Sequence, residues 1–121
     1  MSSIPKVFLL GSLCLSPTQI AAETADGAAV FGTRCATCHT LEPGVNRAGP
    51  SLAGLIGRPA GTMEGARYSR AMQDTNIVWD ERSANVFLAN PRSLVEGTTM
   101  NTRLRSPEER NALIEFLTSG S

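Results

Sequence analysis

Cys35-Ala36-Thr37-Cys38-His39 decides the reading of this chain, because it sets two thiols two residues apart and follows them at once with the only histidine. Upstream of it, Gly27, Phe31 and Cys35 fall at i, i+4 and i+8, so the spacing predicts a helix from Asp26 to Cys38. Downstream, from Thr40 to about Ala66, the chain is irregular and dense in Gly and Pro, including Pro43, Gly44, Gly49, Pro50, Gly54 and Gly57. A loop of that length inside a compact domain marks function or a missing part of the core, and here it reads as wrapping a bound group. Three more short helices follow. One covers Ser69 to Gln73, and one starts after the N-cap Asp80 and stops at Asn90-Pro91, since proline disfavours helical geometry in the residue before it. The last starts at Ser106-Pro107-Glu108-Glu109, a capping box with proline at the first helical position, and carries Leu113, Phe116 and Leu117 as an apolar stripe. Little of the sequence reads as strand, so the fold class is all-α with large loops.

The N-terminal stretch stands apart. Lys6, the apolar run Val7–Leu15 and the small residues before Ala22 have the three parts of a secretory signal. The run is about half the ~20 residues needed to span a bilayer. Residues 1–22 are therefore expected to be a cleaved signal peptide and 23–121 the domain. Export points to the periplasm, with no membrane span after cleavage. Cleavage would remove the only lysine, leaving ten arginines against eleven acidic residues, a net charge of −1. No basic excess points to nucleic acid. The remaining chain is small and has few aromatic residues, so it is expected to need a staple beyond its own core.

Cys-x-x-Cys-His is the attachment signal for a c-type haem. Thiols at this spacing reach the two vinyl groups of one porphyrin, and the adjacent His39 is a good axial iron ligand. One haem c, bound through Cys35 and Cys38, is expected. A zinc site would need four ligands, and the domain has two cysteines and one histidine. A thioredoxin-like dithiol would need a βαβ surround, of which there is no sign. Thioether sulfur is the usual sixth ligand in electron carriers, and the candidates in the domain are Met63, Met72 and Met100.

From Gly27 to Leu117 the chain resembles the class I c-type cytochromes, the soluble bacterial and mitochondrial cytochromes c. The resemblance rests on the haem motif, Gly49-Pro50-Ser51-Leu52, Gly57-Arg58, Tyr68-Ser69, Ile77-Val78-Trp79, Asn90-Pro91 and Gly97-Thr98-Thr99-Met100, in that order. It implies the fold of that class: three to five short helices and long loops wrapped around one covalently bound haem. It implies His39 and Met100 as the axial ligands, with the Pro50 carbonyl accepting from His39 Nδ1–H. It implies Arg58, Tyr68, Trp79 and Thr98 as partners of the haem propionates, and Gly27 and Phe31 packed against Leu113 and Phe116.

The same resemblance implies a one-electron carrier rather than an enzyme. Its partners would be redox proteins: a quinol-oxidising complex, an oxidase, or a periplasmic dehydrogenase of which it is an electron-transfer subunit. A monomer is expected. Arg34, Arg47, Arg92, Arg103 and Arg105 are candidates for a sparse docking ring. The alternative class is a haem peroxidase or gas-binding protein with a displaceable methionine. The chain departs from its relatives on the distal side. Phe87 stands where many carry tyrosine, Met72 where many carry asparagine, and Glu96 where proline is usual before Gly97.

Overall fold

The computed structural model describes residues 2–14 and 25–120. Five helices carry the fold: α1 (Gly27–Arg34), α2 (Arg70–Asp74), α3 (Glu81–Ala89), α4 (Pro91–Leu94) and α5 (Pro107–Thr118). No strand forms among the described residues; the one β feature is a single antiparallel bridge between Pro59 and Val78. The all-α reading stands.

α1 packs across α5, α3 also rests on α5, and α4 abuts α3. The close α1–α5 crossing depends on Gly27, since a Cβ there would run into the Ala112 carbonyl and lie 2.6 Å from Phe116 Cβ. Next to it the Phe31 and Phe116 rings sit 6.2 Å apart, and Leu113, 1 % exposed, closes the contact. A first cluster, Val30, Phe31, Leu104, Leu113 and Leu117, joins these helices. A second gathers Ala60, Met72, Trp79, Phe87 and Val95 from the loops, α2 and α3. Leu55 lies between them and touches both.

Several boundaries differ from expectation, each for a local reason. α1 ends at Arg34, four residues early. Cys35 and Ala36 both donate to the Phe31 carbonyl, which breaks the helical register, and a tight turn follows in which His39 N–H returns to the Cys35 carbonyl at 3.0 Å. Ser69 is the N-cap of α2 and not its first residue; its Oγ accepts from Met72 N–H. Asn90 ends α3 but also begins α4, because Pro91, which cannot continue one helix, is well suited to start the next. The capping box expected at Ser106 forms in one direction only: Ser106 Oγ accepts from Glu109 N–H at 3.2 Å, and its own hydroxyl donates to Glu108. The reciprocal box is at Asp80, whose carboxylate accepts from Ser83 N–H while Ser83 Oγ accepts from Asp80 N–H.

Even one-way, the Ser106 cap satisfies one of the otherwise unpaired N–H groups that start α5. Ser106→Ala is expected to cost about 1 kcal/mol in chemical denaturation, with the unfolding slope unchanged.

Candidate functional site

A cavity of about 370 Å³ lies between the two clusters. Its walls are apolar for the most part, with Leu52, Leu55, Met72, Trp79, Phe87 and Leu113 among them. All nine site residues named from the sequence line it: Cys35, Cys38, His39, Pro50, Arg58, Tyr68, Trp79, Thr98 and Met100. They arrive from four separate segments. The first is the turn after α1, the second the Gly/Pro-rich loop, the third the stretch flanking α2, and the fourth the loop between α4 and α5.

His39 is held from one side. Its Nδ1 is 2.7 Å from the Pro50 carbonyl. A carbonyl only accepts, so Nδ1 carries the proton and the lone pair of Nε2 is left free for a metal ion. Burial moves the imidazole pKa down, against a smaller upward push from the Pro50 bond, which keeps the ring neutral at neutral pH. Gly49 makes this approach possible, because any Cβ on it would overlap the imidazole. The strand of loop carrying Pro50 is pinned from several directions. Gly49 N–H donates to the Cys38 carbonyl at 2.8 Å, Ser51 N–H to Asn46 Oδ1 at 2.9 Å, and Leu52 N–H to the Thr40 carbonyl at 2.9 Å. Ser51 is wholly buried, and its hydroxyl donates to the Glu42 carbonyl.

Cys35 and Cys38 form no disulfide. Burial raises the pKa of the Cys35 thiol more than the nearby Arg34 charge lowers it, so this sulfur stays protonated at neutral pH. Arg58 reaches inward to backbone: Nη1 donates to the Ala53 carbonyl at 2.9 Å and Nη2 to the Ser51 carbonyl at 3.1 Å. The Tyr68 hydroxyl accepts from Met63 N–H, and Trp79 is buried with its ring 5.0 Å from that of Phe87. Thr98 is buried, with Oγ1 accepting from Met100 N–H at 3.3 Å. The turn before Met100 is closed by Thr98 N–H on the Val95 carbonyl and has Gly97 at φ 91°. That left-handed position suits glycine, and it forms with Glu96 in the place of the usual proline.

The three methionines separate cleanly. Met72 and Met100 line the cavity; Met63 does not, and its Sδ accepts a long contact of 3.7 Å from Arg58 Nη1. Of the arginines considered for docking, only Arg34 lines the cavity. Arg92 and Arg103 flank a smaller recess of about 230 Å³ with Asn90, Pro91 and Asn101. Sequence reasoning missed the part played by Gly49, the full burial of Ser51, and a further cation on the cavity wall, Arg67. The side chains present suit a flat apolar group that bears carboxylates. The walls are apolar and carry three arginines with no Asp or Glu, two thiols flank the cavity, and one neutral imidazole offers a free nitrogen.

Comparison with known proteins agrees with this geometry. The family model described as Cytochrome c matches residues 24–121. A cytochrome c of Arabidopsis thaliana is 43 % identical over 93 residues, covering 75 % of this chain and 83 % of the relative. A cytochrome c2 iso-2 of Magnetospirillum molischianum is 40 % identical over 94 residues, 77 % of this chain and 96 % of the relative. A cytochrome c of Nigella damascena is 37 % identical over 99 residues, 80 % and 89 % respectively.

Proposed function

The chain belongs to the cytochrome c family, and from that premise we propose that it is a monomeric periplasmic carrier holding one haem c, bound through Cys35 and Cys38 with His39 and Met100 as axial ligands. Members of the family carry electrons and bind haem c covalently. Haem c supplies an iron that takes up and releases one electron. The residues of this chain decide how easily it does so.

The observation that carries the reading is the convergence of all nine residues on one cavity, with His39 oriented by Pro50. Fixing Nδ1–H on a carbonyl makes Nε2 the more basic ligand nitrogen and stops the ring from turning. A thioether from Met100 favours the reduced state and raises the potential. Met72 and Phe87, both buried, line the cavity with carbon and sulfur, so no side-chain hydroxyl from these two positions reaches the Met100 sulfur. Little has to rearrange when charge changes in so apolar a site, which suits outer-sphere transfer. Arg58, Tyr68, Trp79 and Thr98 offer donors to the haem carboxylates. A quinol-oxidising complex, an oxidase or a periplasmic dehydrogenase supplies or takes the electron, with Arg34, Arg47, Arg92, Arg103 and Arg105 as the cationic docking groups.

Export is supported by residues 2–14. They form no helix or strand, and Phe8, Leu9 and Leu10 are 86–94 % exposed, apolar surface with no place in the folded domain. Among the described residues no helix is long and apolar enough to cross a membrane. The proposed cleavage point at Ala22-Glu23 lies outside the described residues.

The test is spectroscopic. The ferric protein purified from a periplasmic extract is expected to show the far-red charge-transfer band of thioether-ligated haem. Met100→Ala is expected to abolish that band and to lower the midpoint potential by on the order of 0.2 V, a fraction of the ~0.8 V that axial ligation spans. A band that survives Met100→Ala but vanishes in Met72→Ala would assign the sulfur to Met72 instead. A wild-type ferric spectrum without the band would mean an iron open on that face.

A further inference from the structure

Haem c brings two carboxylates into the cavity that holds it, and a buried or half-buried carboxylate needs donors and a compensating charge. The residues implied by family resemblance meet only part of that need. Arg58 has five N–H donors. Three are engaged within the protein, on the Ala53 carbonyl, Met63 Sδ and the Ser51 carbonyl. Nε–H and one Nη2–H remain, a fork suited to one carboxylate. Tyr68 accepts from Met63 N–H and so keeps its hydroxyl proton to donate. Arg58 and Tyr68 thus serve one carboxylate, and Thr98 and Trp79 add only neutral donors. No second cation comes from that set.

The cavity wall supplies two other arginines. Arg34 is tied at Nη2 to the Arg103 carbonyl at 2.9 Å, beside the cysteine turn. Arg67 adjoins Tyr68, is exposed, lines the cavity, and has no hydrogen bond or ion pair from its side chain among the described residues. Its backbone is well anchored nonetheless. Ala66 N–H donates to the Met63 carbonyl, Asn46 Nδ2 holds the Glu64 carbonyl at 2.9 Å, and Gln73 Nε2 holds the Tyr68 carbonyl at 3.1 Å. An anchored arginine with an unused guanidinium stands on the rim of a cavity that has no acid in its wall.

We propose that Arg67 is the cationic partner of the second haem carboxylate, so that two arginines hold the pair, Arg58 from within and Arg67 from the rim. The proposal rests on the haem reading above. Its consequence is electrostatic. Arg67 cancels negative charge near the iron, and so disfavours the ferric state and raises the potential.

The experiment compares haem-loaded full-length R67Q, R67K and R70Q by redox titration at low ionic strength. Arg70 is the control: it is exposed, it does not line the cavity, and it sits 3.8 Å from Asp74, so R70Q removes the same charge from a nearby place. R67Q is expected to lower the midpoint potential by at least twice the shift in R70Q, and R67K to recover most of the loss. An R67Q potential no lower than that of R70Q, or an R67K potential that stays with R67Q, overturns the proposal. Covalent haem staining separates the two readings. A wild-type chain without stain refutes the haem assignment itself, whereas stained variants with unmoved potentials refute only the role of Arg67.

Discussion

A chain carrying both Cys35→Ser and Cys38→Ser is expected to hold no covalent haem and to lose most of its helical signal at 25 °C. The two cysteines are the only thiols of the proposed domain, so the attachment chemistry has no substitute. The loss of fold follows from the cavity. Some 370 Å³ separate the Phe31–Leu113 cluster from the Trp79–Phe87 cluster, and Leu52, Leu55, Met72 and Leu113 face into that space. Without the bound group the apolar walls of this cleft have no partner, and the fold loses the burial that joins its two clusters. A domain of ~100 residues has about 5–15 kcal/mol in total. The clusters also share Leu55 and meet through α3, whose Phe87 belongs to one while its Leu88 packs on the other, and no disulfide joins the segments. The checks are a haem-stained denaturing gel and far-ultraviolet circular dichroism at neutral pH. A double serine variant that keeps native-like ellipticity and a cooperative melt would show that the helices stand without the bound group, and would contradict the account of the cavity.

How much of this could be seen in advance depends on the range of the interaction. Ser106-Pro107 announces α5 because an N-cap and a proline act within one turn, and Phe31 and Leu113 each mark the apolar face of their own helix because helical periodicity is local, whereas their packing together is implied only by the family resemblance. The haem motif was legible for the same reason, since its residues are consecutive. Pro91 reads in one direction in the sequence, as a stop, because the α4 start depends on the chain's turning back towards α3. The end of α1 falls earlier than the sequence suggests because the doubly used Phe31 carbonyl is a matter of backbone geometry and leaves no mark on composition. Met63, Met72 and Met100 were chemically alike, and only position told them apart; the fold then put Met63 against Arg58 and outside the cavity. Arg67 reads as one more solvated charge until its neighbours on the wall are known. Ser51 reads as loop, although it is the wholly buried hydroxyl that ties the Pro50 segment to Glu42.

Gly49 is the sharpest case, and Gly49→Ala is expected to have the second largest effect. Its φ is not in the left-handed region, so alanine is sterically allowed by the backbone itself. The penalty is entirely a matter of what stands opposite. A Cβ would lie 2.7 Å from His39 Nδ1 and 2.8 Å from Nε2, and closer still to Cε1, well inside van der Waals contact. The loop is held against withdrawal, because Gly49 N–H is bonded to Cys38 in the turn after α1, and Ser51 N–H and Leu52 N–H are bonded to Asn46 and Thr40 earlier in the same loop. The imidazole must therefore move, and it gives up the 2.7 Å bond to Pro50. Overpacking costs about 1–3 kcal/mol and the lost hydrogen bond about 1 more. For a domain near 100 residues that is a fall in Tm on the order of 10–20 °C. The midpoint potential should shift in the same variant, because the nitrogen facing the iron loses the partner that sets its basicity. Gly32→Ala is the matched control. Gly32 lies in α1 with nothing within 4 Å of its Cβ position, so alanine there should stabilise by about 0.5–1 kcal/mol and leave the potential alone. If Gly49→Ala melted with the wild type at an unchanged potential, the ring would have room that this geometry denies it, and the Pro50–His39 bond could not be what orients the proximal ligand.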